Sequence, residues 1–200
     1  MAQTTWSGPI RTENGFQIIS KSATTGAETV TAQVGTGTGL MTAGTGVSTG
    51  VGTVYKTSVS KNGDLIHTKI LIDLTGLNCG GTAADIIGVD AAANCHFGQV
   101  TAAVNGTVYA GKLTCYEAPT GGNADVDVYS ATESTGTEDA AVTDLTETQL
   151  VNGAAQTKGK VTMFTAVPAA DEYIYLACGT STDATFTAGI LMIDLFGYAA

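Results

Sequence analysis

The residues of this sequence best suited to metal binding or nucleophilic chemistry are four cysteines and two histidines: Cys79, Cys95, Cys115, Cys178, His67 and His96. The cysteines form no CxxC pair, and two imidazoles offer little to a zinc site, which uses closely spaced Cys and His ligands. No GxSxG segment accompanies the histidines, so the sequence does not indicate a serine hydrolase. We expect His67 to point outward from a strand without a catalytic partner. The sequence predicts no metal site, no cofactor and no enzymatic activity.

The four cysteines differ in their surroundings. Cys115 and Cys178 lie in apolar stretches, where a small buried thiol is expected. Cys79 and Cys95 flank residues 80–94, and a bridge between them would close this loop. The N-terminus has neither the basic nor the apolar region of a secretion signal, and disulfides are rare in cytosolic proteins. A Cys79–Cys95 bridge therefore stays open as an alternative to two reduced thiols.

The acidic residues give no complete calcium motif. Asp125 and Asp127 are spaced by two, but the pattern DxDxDG of a calcium loop is absent. Further acidic residues fall in the polar stretch between residues 132 and 160. A solvated acidic face is the interpretation that this stretch favours.

Glycines are concentrated between Lys21 and Gly52, at positions 35, 37, 39, 44, 46, 50 and 52. Their spacing matches neither GxGxxG nor GxxxxGK[ST], so a nucleotide site is not indicated. Ordering so many glycines is entropically costly, which is typical of a linker or an extended arm. The sequence therefore predicts an extended N-terminal arm over residues 1–52 and a β-rich body over residues 53–200.

The composition excludes several classes of partner. The net charge is −10 with only 8 lysine and arginine residues, whereas a nucleic-acid-binding face needs clustered cations. No apolar run approaches the roughly 20 residues of a membrane span. We expect a soluble protein that is made in a cytosol and binds neither nucleic acid nor membrane. With 13% charged residues, its surface is suited to contact with other proteins.

Alternating apolar residues and turn signals predict about eight strands. Ile66, Ile70, Ile72 and Leu74 share one strand face, while Leu191 and Ile193 alternate with further apolar residues, so that both faces of the last strand are apolar. Asn-Gly pairs at residues 62–63 and 105–106 predict hairpin turns. The predicted fold is all-β: a jelly-roll-like antiparallel β-sandwich, with an up-and-down barrel as the alternative. The predicted strands begin at Val54, Leu65, Gln99, Thr107, Asp125, Lys160, Tyr173 and Thr185.

Three stretches resemble structural proteins of tailed bacteriophages, particularly the cyanophage-like phages of marine hosts. They are WSGPIR with ENGF in residues 6–16, LTCYEAPTGGNADVDVY in residues 113–129 and ATFTAGILMIDLFGY in residues 184–198. The resemblance implies a head decoration, or cement, protein that is a homotrimer with a β-sandwich body and binds the major capsid protein on the outer capsid surface. Such a protein is made in the host bacterial cytoplasm.

Apolar residues near the N-terminus are candidates for the contact with the capsid. Trp6, Ile10 and Phe16 are the predicted anchors of the arm, because large apolar side chains near a terminus often occupy a pocket of a neighbour. An arm that crosses a subunit boundary would add contact area without a new interface fold. A glycan-binding or host-attachment module on the virion is the second hypothesis.

Overall fold

A computed structural model describes residues 16–22, 24–36, 41–48, 55–181 and 183–199 of the chain. The described residues form three antiparallel sheets with two short helices, and the prediction of an all-β fold is confirmed. The jelly-roll connectivity within that class stays a prediction.

The strands are β1 (Phe16–Lys21), β2 (Glu28–Thr36), β3 (Tyr55–Asn62), β4 (Leu65–Asp73), β5 (Asn78–Cys79), β6 (Thr107–Thr120), β7 (Val126–Ala131), β8 (Glu147–Val151), β9 (Val161–Met163), β10 (Tyr173–Cys178), β11 (Ala184–Thr185) and β12 (Ala188–Tyr198). The helices are α1 (Thr45–Ser48) and α2 (Ala102–Asn105), and Val142–Asp144 form a 3-10 turn.

The largest sheet has seven strands in the order β1-β2-β3-β4-β12-β6-β9. Its longest pairing joins β12 to β4, from Ile190 opposite Asp73 to Tyr198 opposite Leu65. Residues directly opposite each other in an antiparallel pair lie on the same face of the sheet. The alternation predicted for β4 is confirmed, because Ile66, Thr68, Ile70 and Ile72 are buried.

The smaller sheets are β10-β7-β8 and β11-β5. Buried residues of the seven-stranded and three-stranded sheets belong to one apolar core, a layout consistent with a β-sandwich. Leu113 and Ile193 come from the large sheet, and Val128 and Leu176 from the smaller one. Removing these side chains from water is the main favourable term in the folding of such a domain.

One of the two predicted hairpins is confirmed. Strands β3 and β4 pair from Asn62 opposite Leu65 to Tyr55 opposite Ile72, so Gly63 and Asp64 form the two-residue turn. Gly63 has φ 60°, in the left-handed region that glycine adopts without a steric penalty.

The hairpin predicted at Asn105-Gly106 is wrong. Thr101 caps α2 by accepting the backbone N–H of Val104 at 3.3 Å, and the Asn105 side chain accepts the N–H of Thr101 at 2.9 Å. The buried Asn105 amide also donates to Thr68 Oγ1 at 2.9 Å. These bonds favour a helical turn over a strand. Strand β6 therefore pairs with β12 and β9 instead of with residues 99–104.

The Gly-rich stretch between residues 21 and 52 contains more regular structure than a linker. Strand β2 pairs with β1 on one side and with β3 on the other, from Ala32 opposite Asn62 to Thr36 opposite Ser58. Met41 and Val47 are buried in the core. Thr and Val recur along β2 and favour a strand, although the glycines of this stretch had indicated a linker. The predicted domain division after residue 52 stays a prediction. No helix in the described ranges is long and apolar enough to cross a membrane.

Candidate functional site

Of the three predicted arm anchors, Phe16 alone lies within the described residues. Trp6 and Ile10 lie outside the described residues. Phe16 begins strand β1 at the edge of the seven-stranded sheet, and its backbone pairs with Val34. Their role as anchors stays a prediction.

One face of the seven-stranded sheet carries a row of exposed apolar side chains. We call this face the outer sheet face. It comprises the outward residues of β3, β4, β6, β9 and residues 190–198 of β12 that the register aligns, together with Tyr109 and Tyr116, which lie at the register shifts of β6 beside Tyr198 and Met192: Lys56, Ser58, Ser60, Asn62, Leu65, His67, Lys69, Leu71, Asp73, Thr107, Tyr109, Ala110, Lys112, Thr114, Tyr116, Glu117, Val161, Met163, Ile190, Met192, Asp194, Phe196 and Tyr198.

Six of the seven large hydrophobic residues that are exposed in the described part of the chain belong to the outer sheet face. Leu65 is 59% exposed and Met163 is 57% exposed. The Tyr109 and Tyr198 rings lie 6.4 Å apart, and the Tyr116 hydroxyl lies 3.9 Å from the Met192 sulfur. Apolar side chains that are grouped on one face, rather than scattered singly, are typical of an interaction surface.

A buried carboxylate lies at the centre of the outer sheet face. Asp194 is 1% exposed; its Oδ1 lies 2.6 Å from His67 Nε2, and its Oδ2 lies 3.6 Å from Lys112 Nζ. The His67 ring stacks on Phe196 with the ring centroids 4.8 Å apart. His67 faces outward from β4, as expected, but its side chain has a carboxylate partner that the sequence did not predict. Its partner is 127 residues away in the sequence, and the pairing of β12 with β4 brings the two together.

The arrangement around His67 differs from a serine-protease triad. Ser60 is opposite His67 in the register, but its hydroxyl donates to the backbone oxygen of His67 at 3.4 Å. The imidazole uses Nε2 for Asp194. In a triad, the histidine must bond the carboxylate through one nitrogen and the nucleophile through the other. We therefore interpret this cluster as one that fixes side-chain positions, and the expectation that the chain is not an enzyme stays a prediction.

A cavity of about 560 Å³ lies at another place in the fold, beside the Met41–Thr45 segment. His96 and Tyr173 form part of its wall, with their rings edge to face and the ring centroids 4.7 Å apart. Burial lowers the pKa of His96 to about 4, so the imidazole is neutral at neutral pH. No local pattern in the sequence predicted this cavity, because its wall comes from segments that are far apart in the chain.

The disulfide bond differs from the Cys79–Cys95 bridge that the sequence left open as an alternative. Cys79 is bonded to Cys178, with the Cα atoms 6.0 Å apart, and Cys95 is a buried free thiol. Spacing favoured the nearer cysteine, whereas the fold places Cys79 in β5 beside the end of β10. The prediction that Cys178 is unpaired is wrong, and the prediction of a buried, unpaired Cys115 is confirmed. Burial raises the pKa of Cys95 to about 12, which makes it a poor nucleophile.

Two acidic residues have structural partners. Asp127 accepts the Gly153 N–H at 2.6 Å and the Gln149 side-chain amide at 3.1 Å. Glu138 is buried and accepts the Asn78 amide and the Ala91 N–H, both at 3.0 Å, so the solvated acidic face predicted for this region does not include it. Within the described ranges, no group of three or more His, Cys, Asp or Glu residues could hold a metal ion.

Comparison of the chain with protein-family models, with curated proteins and with solved structures gives no match in any of the three. The candidate sites are therefore interpreted from their own geometry. They are the outer sheet face, with its exposed apolar residues, and the cavity beside His96.

Proposed function

We propose that this chain is a structural protein of a tailed-phage virion that binds the outer surface of the capsid and stabilises it by bridging neighbouring shell subunits. The observation that carries the proposal is the outer sheet face, where large apolar side chains are exposed across four neighbouring strands. The sequence resemblance to phage virion proteins supplies the identity of the partner, the major capsid protein.

The composition of the outer sheet face fits contact with protein. Tyrosine and methionine are enriched in the cores of protein interfaces, and this face exposes Tyr109, Tyr116, Tyr198 and Met163. Tyrosine is also enriched among the hot spots, the residues at which a single truncation weakens binding strongly. The face has both the apolar surface and the anchor residues that a stable protein contact needs.

The charges of the outer sheet face also suit this role. The three lysines of the face, Lys56, Lys69 and Lys112, are balanced by Asp73, Glu117 and Asp194, although the whole chain carries a net charge of −10. A balanced patch approaches a protein surface without the repulsion that a strongly acidic face would meet from an acidic partner. The acidic remainder of the molecule disfavours contact with packaged DNA, which supports a position outside the shell.

In this proposal, the N-terminal residues extend the contact. Trp6, Ile10 and Phe16 would anchor the arm on a neighbouring shell subunit while the outer sheet face binds the first one. Two linked contacts make the second binding event intramolecular, so that modest individual affinities give a strong combined attachment. We also propose a homotrimer, which would multiply this effect around a threefold position. Sedimentation of the purified protein at several concentrations tests it, and a monomer throughout would contradict it.

Add-back to phage heads that lack the protein tests the main proposal. We expect the wild-type chain to saturate the heads and Met163→Asp to reduce occupancy at least tenfold, because a carboxylate would be buried in an apolar contact. Val167→Asp is the matched control, since Val167 is 41% exposed but lies outside the outer sheet face. Equal occupancy of the two variants would exclude this face, and failure of the wild type to bind heads would overturn the proposal.

The arm requires a separate measurement in the same assay. Deletion of residues 1–15 leaves β1 intact and removes Trp6 and Ile10. We expect this truncated chain, and Trp6→Ala to a smaller degree, to occupy fewer sites at limiting protein concentration. Unchanged occupancy would remove the arm from the proposed mechanism without affecting the role of the outer sheet face.

A further inference from the structure

The cavity beside His96 has an uncharged wall. Its lining contains no lysine, arginine, aspartate or glutamate, and it combines hydroxyl and amide groups with a few apolar side chains. A volume of about 560 Å³ is within the range of small-molecule sites. An anion would find no cationic side chain in this wall, and a cation would find no carboxylate.

The geometry of His96 fixes a hydrogen-bond donor in the cavity. Its Nδ1 accepts the backbone N–H of Gly98 at 3.3 Å, so in the neutral ring the proton is carried by Nε2. His96 is only 8% exposed, and its Nε2 has no hydrogen-bond partner within the described part of the chain. A donor that is held in one place and lacks a partner is suited to bind an oxygen of a ligand.

Other polar groups of the wall are also available. The Tyr173 hydroxyl and the side chains of Asn94 and Ser134 make no hydrogen bond to any residue that the structure describes, and all three are partly exposed. Together with His96, they provide donors and acceptors of neutral type around an aromatic ring. Apolar C–H groups of a ligand can pack on that ring while its hydroxyls bond the polar side chains.

We propose that this cavity binds an uncharged, hydroxyl-rich ligand, namely a saccharide unit of a glycan, with His96 Nε2 donating to a sugar oxygen and the Tyr173 hydroxyl bonding a second one. The inference goes beyond the proposed virion role and does not rest on it, because the cavity and the outer sheet face share no residues. A chain that failed to bind phage heads could still carry this site.

Titration of the isotopically labelled full chain with neutral sugars, followed by NMR, tests the inference. The probes are glucose, galactose, mannose, N-acetylglucosamine and their disaccharides, with glucuronic acid and glucosamine as charged comparators. We expect at least one neutral sugar to shift the imidazole resonances of His96 and the ring resonances of Tyr173. If no neutral sugar shifts these resonances, or if the charged sugars bind better than the neutral ones, the inference is overturned.

A conservative substitution separates a ligand contact from a structural role. Tyr173→Phe removes a hydroxyl that has no partner among the described residues, so folding should be unaffected, while sugar affinity should fall about tenfold, equivalent to about 1.4 kcal/mol. Tyr109→Phe, on the outer sheet face, is the matched control and should bind as the wild type does. Ser134→Ala should also weaken binding. Unchanged affinity in both cavity variants would contradict the assigned site, even if a sugar binds elsewhere.

Discussion

Strand β7 is buried along its whole length, whereas β12, which is also an inner strand of its sheet, is buried fully on one face only. On β12, Leu191 and Ile193 are at most 1% exposed, while Met192 and Phe196 on the opposite face are only partly buried. Both strands occupy interior positions, so position in the sheet does not explain the difference.

Loops that pack against the smaller sheet account for the difference in burial between β7 and β12. The Tyr175 hydroxyl, in the strand beside β7, donates to the Glu133 carbonyl at 2.7 Å and accepts the Gly136 N–H at 3.3 Å, so the loop after β7 lies against this ring. Asp127 of β7 is bonded to Gly153 and Gln149. The outer sheet face has no such cover among the described residues, and its buried charge, Asp194, is paired within the face itself. One sheet is closed by its own loops, and the other retains a surface that a partner could cover.

The comparison of the two faces of β12 can be tested most directly by substitution of neighbouring residues. We expect Leu191→Ala to lower the free energy of unfolding by about 2 to 5 kcal/mol, because it leaves a cavity in the core. Met192→Ala, one residue away on the outer sheet face, should cost less than about 1 kcal/mol, because that side chain is already partly in water. Denaturant titration measures both. Similar losses would show that the two faces are equally important for folding.

The disulfide is the next largest contribution to the free energy of unfolding that we expect, and it joins β5 to the end of β10. Cys79 and Cys178 are 99 residues apart, so the bond restricts a long loop in the unfolded chain. The double variant Cys79→Ala/Cys178→Ala should lose about 2 to 4 kcal/mol of unfolding free energy. A reductant should lower the wild type to the level of the variant and leave the variant unchanged. Equal stability of the oxidised wild type and the variant would contradict this contribution.

His96 should make the folding stability of the protein sensitive to acid. Burial lowers its pKa to about 4, so the unfolded chain binds a proton more tightly than the folded chain between pH 6.5 and pH 4. Stability should therefore fall as the pH falls through this window, by about 1 to 2 kcal/mol after allowance for solvent screening. The Tyr175 ring packs edge-on against His96, and burial raises the pKa of Tyr175 to about 12, so this hydroxyl does not ionise in the window.

Unfolding experiments at several pH values isolate this effect. His96→Asn should reduce the loss of stability between pH 6.5 and pH 4, whereas His67→Asn, on the outer sheet face, serves as the matched histidine variant. If the acid-dependent loss persists unchanged in His96→Asn, the proton uptake belongs to other groups.

The smallest expected effect concerns the outer sheet face alone. Met163→Asp should change the free energy of unfolding by no more than about 0.5 kcal/mol, because Met163 is 57% exposed and away from the core. Thermal unfolding of this variant and of Val167→Asp checks the value. A large loss would mean that the residue supports the fold, and a reduced occupancy on phage heads could then no longer be attributed to the contact.

The sequence predicted the features that depend on neighbouring residues. The burial of Ile66, Ile70 and Ile72 on one face of β4 follows from alternation, and the turn between β3 and β4 from the Asn-Gly signal. Seven of the eight predicted strand starts lie within three residues of an observed strand start. The exception, Gln99, precedes α2, where the side chains of Thr101 and Asn105 stabilise a helical turn in place of the predicted hairpin.

Only the tertiary structure decided which distant residues meet. Alternation showed that both faces of β12 are apolar, but the pairing of β12 with β4 and β6 determines that Asp194 lies against His67 and Lys112. The same holds for the Cys79–Cys178 bond, whose cysteines are 99 residues apart, and for the cavity beside His96, whose wall includes residues as distant in the sequence as Met41 and Tyr173. Local periodicity fixes which face of a strand is apolar, because it depends on the direction of successive side chains. The order of strands in a sheet depends on the packing of the whole chain, and no local pattern encodes it.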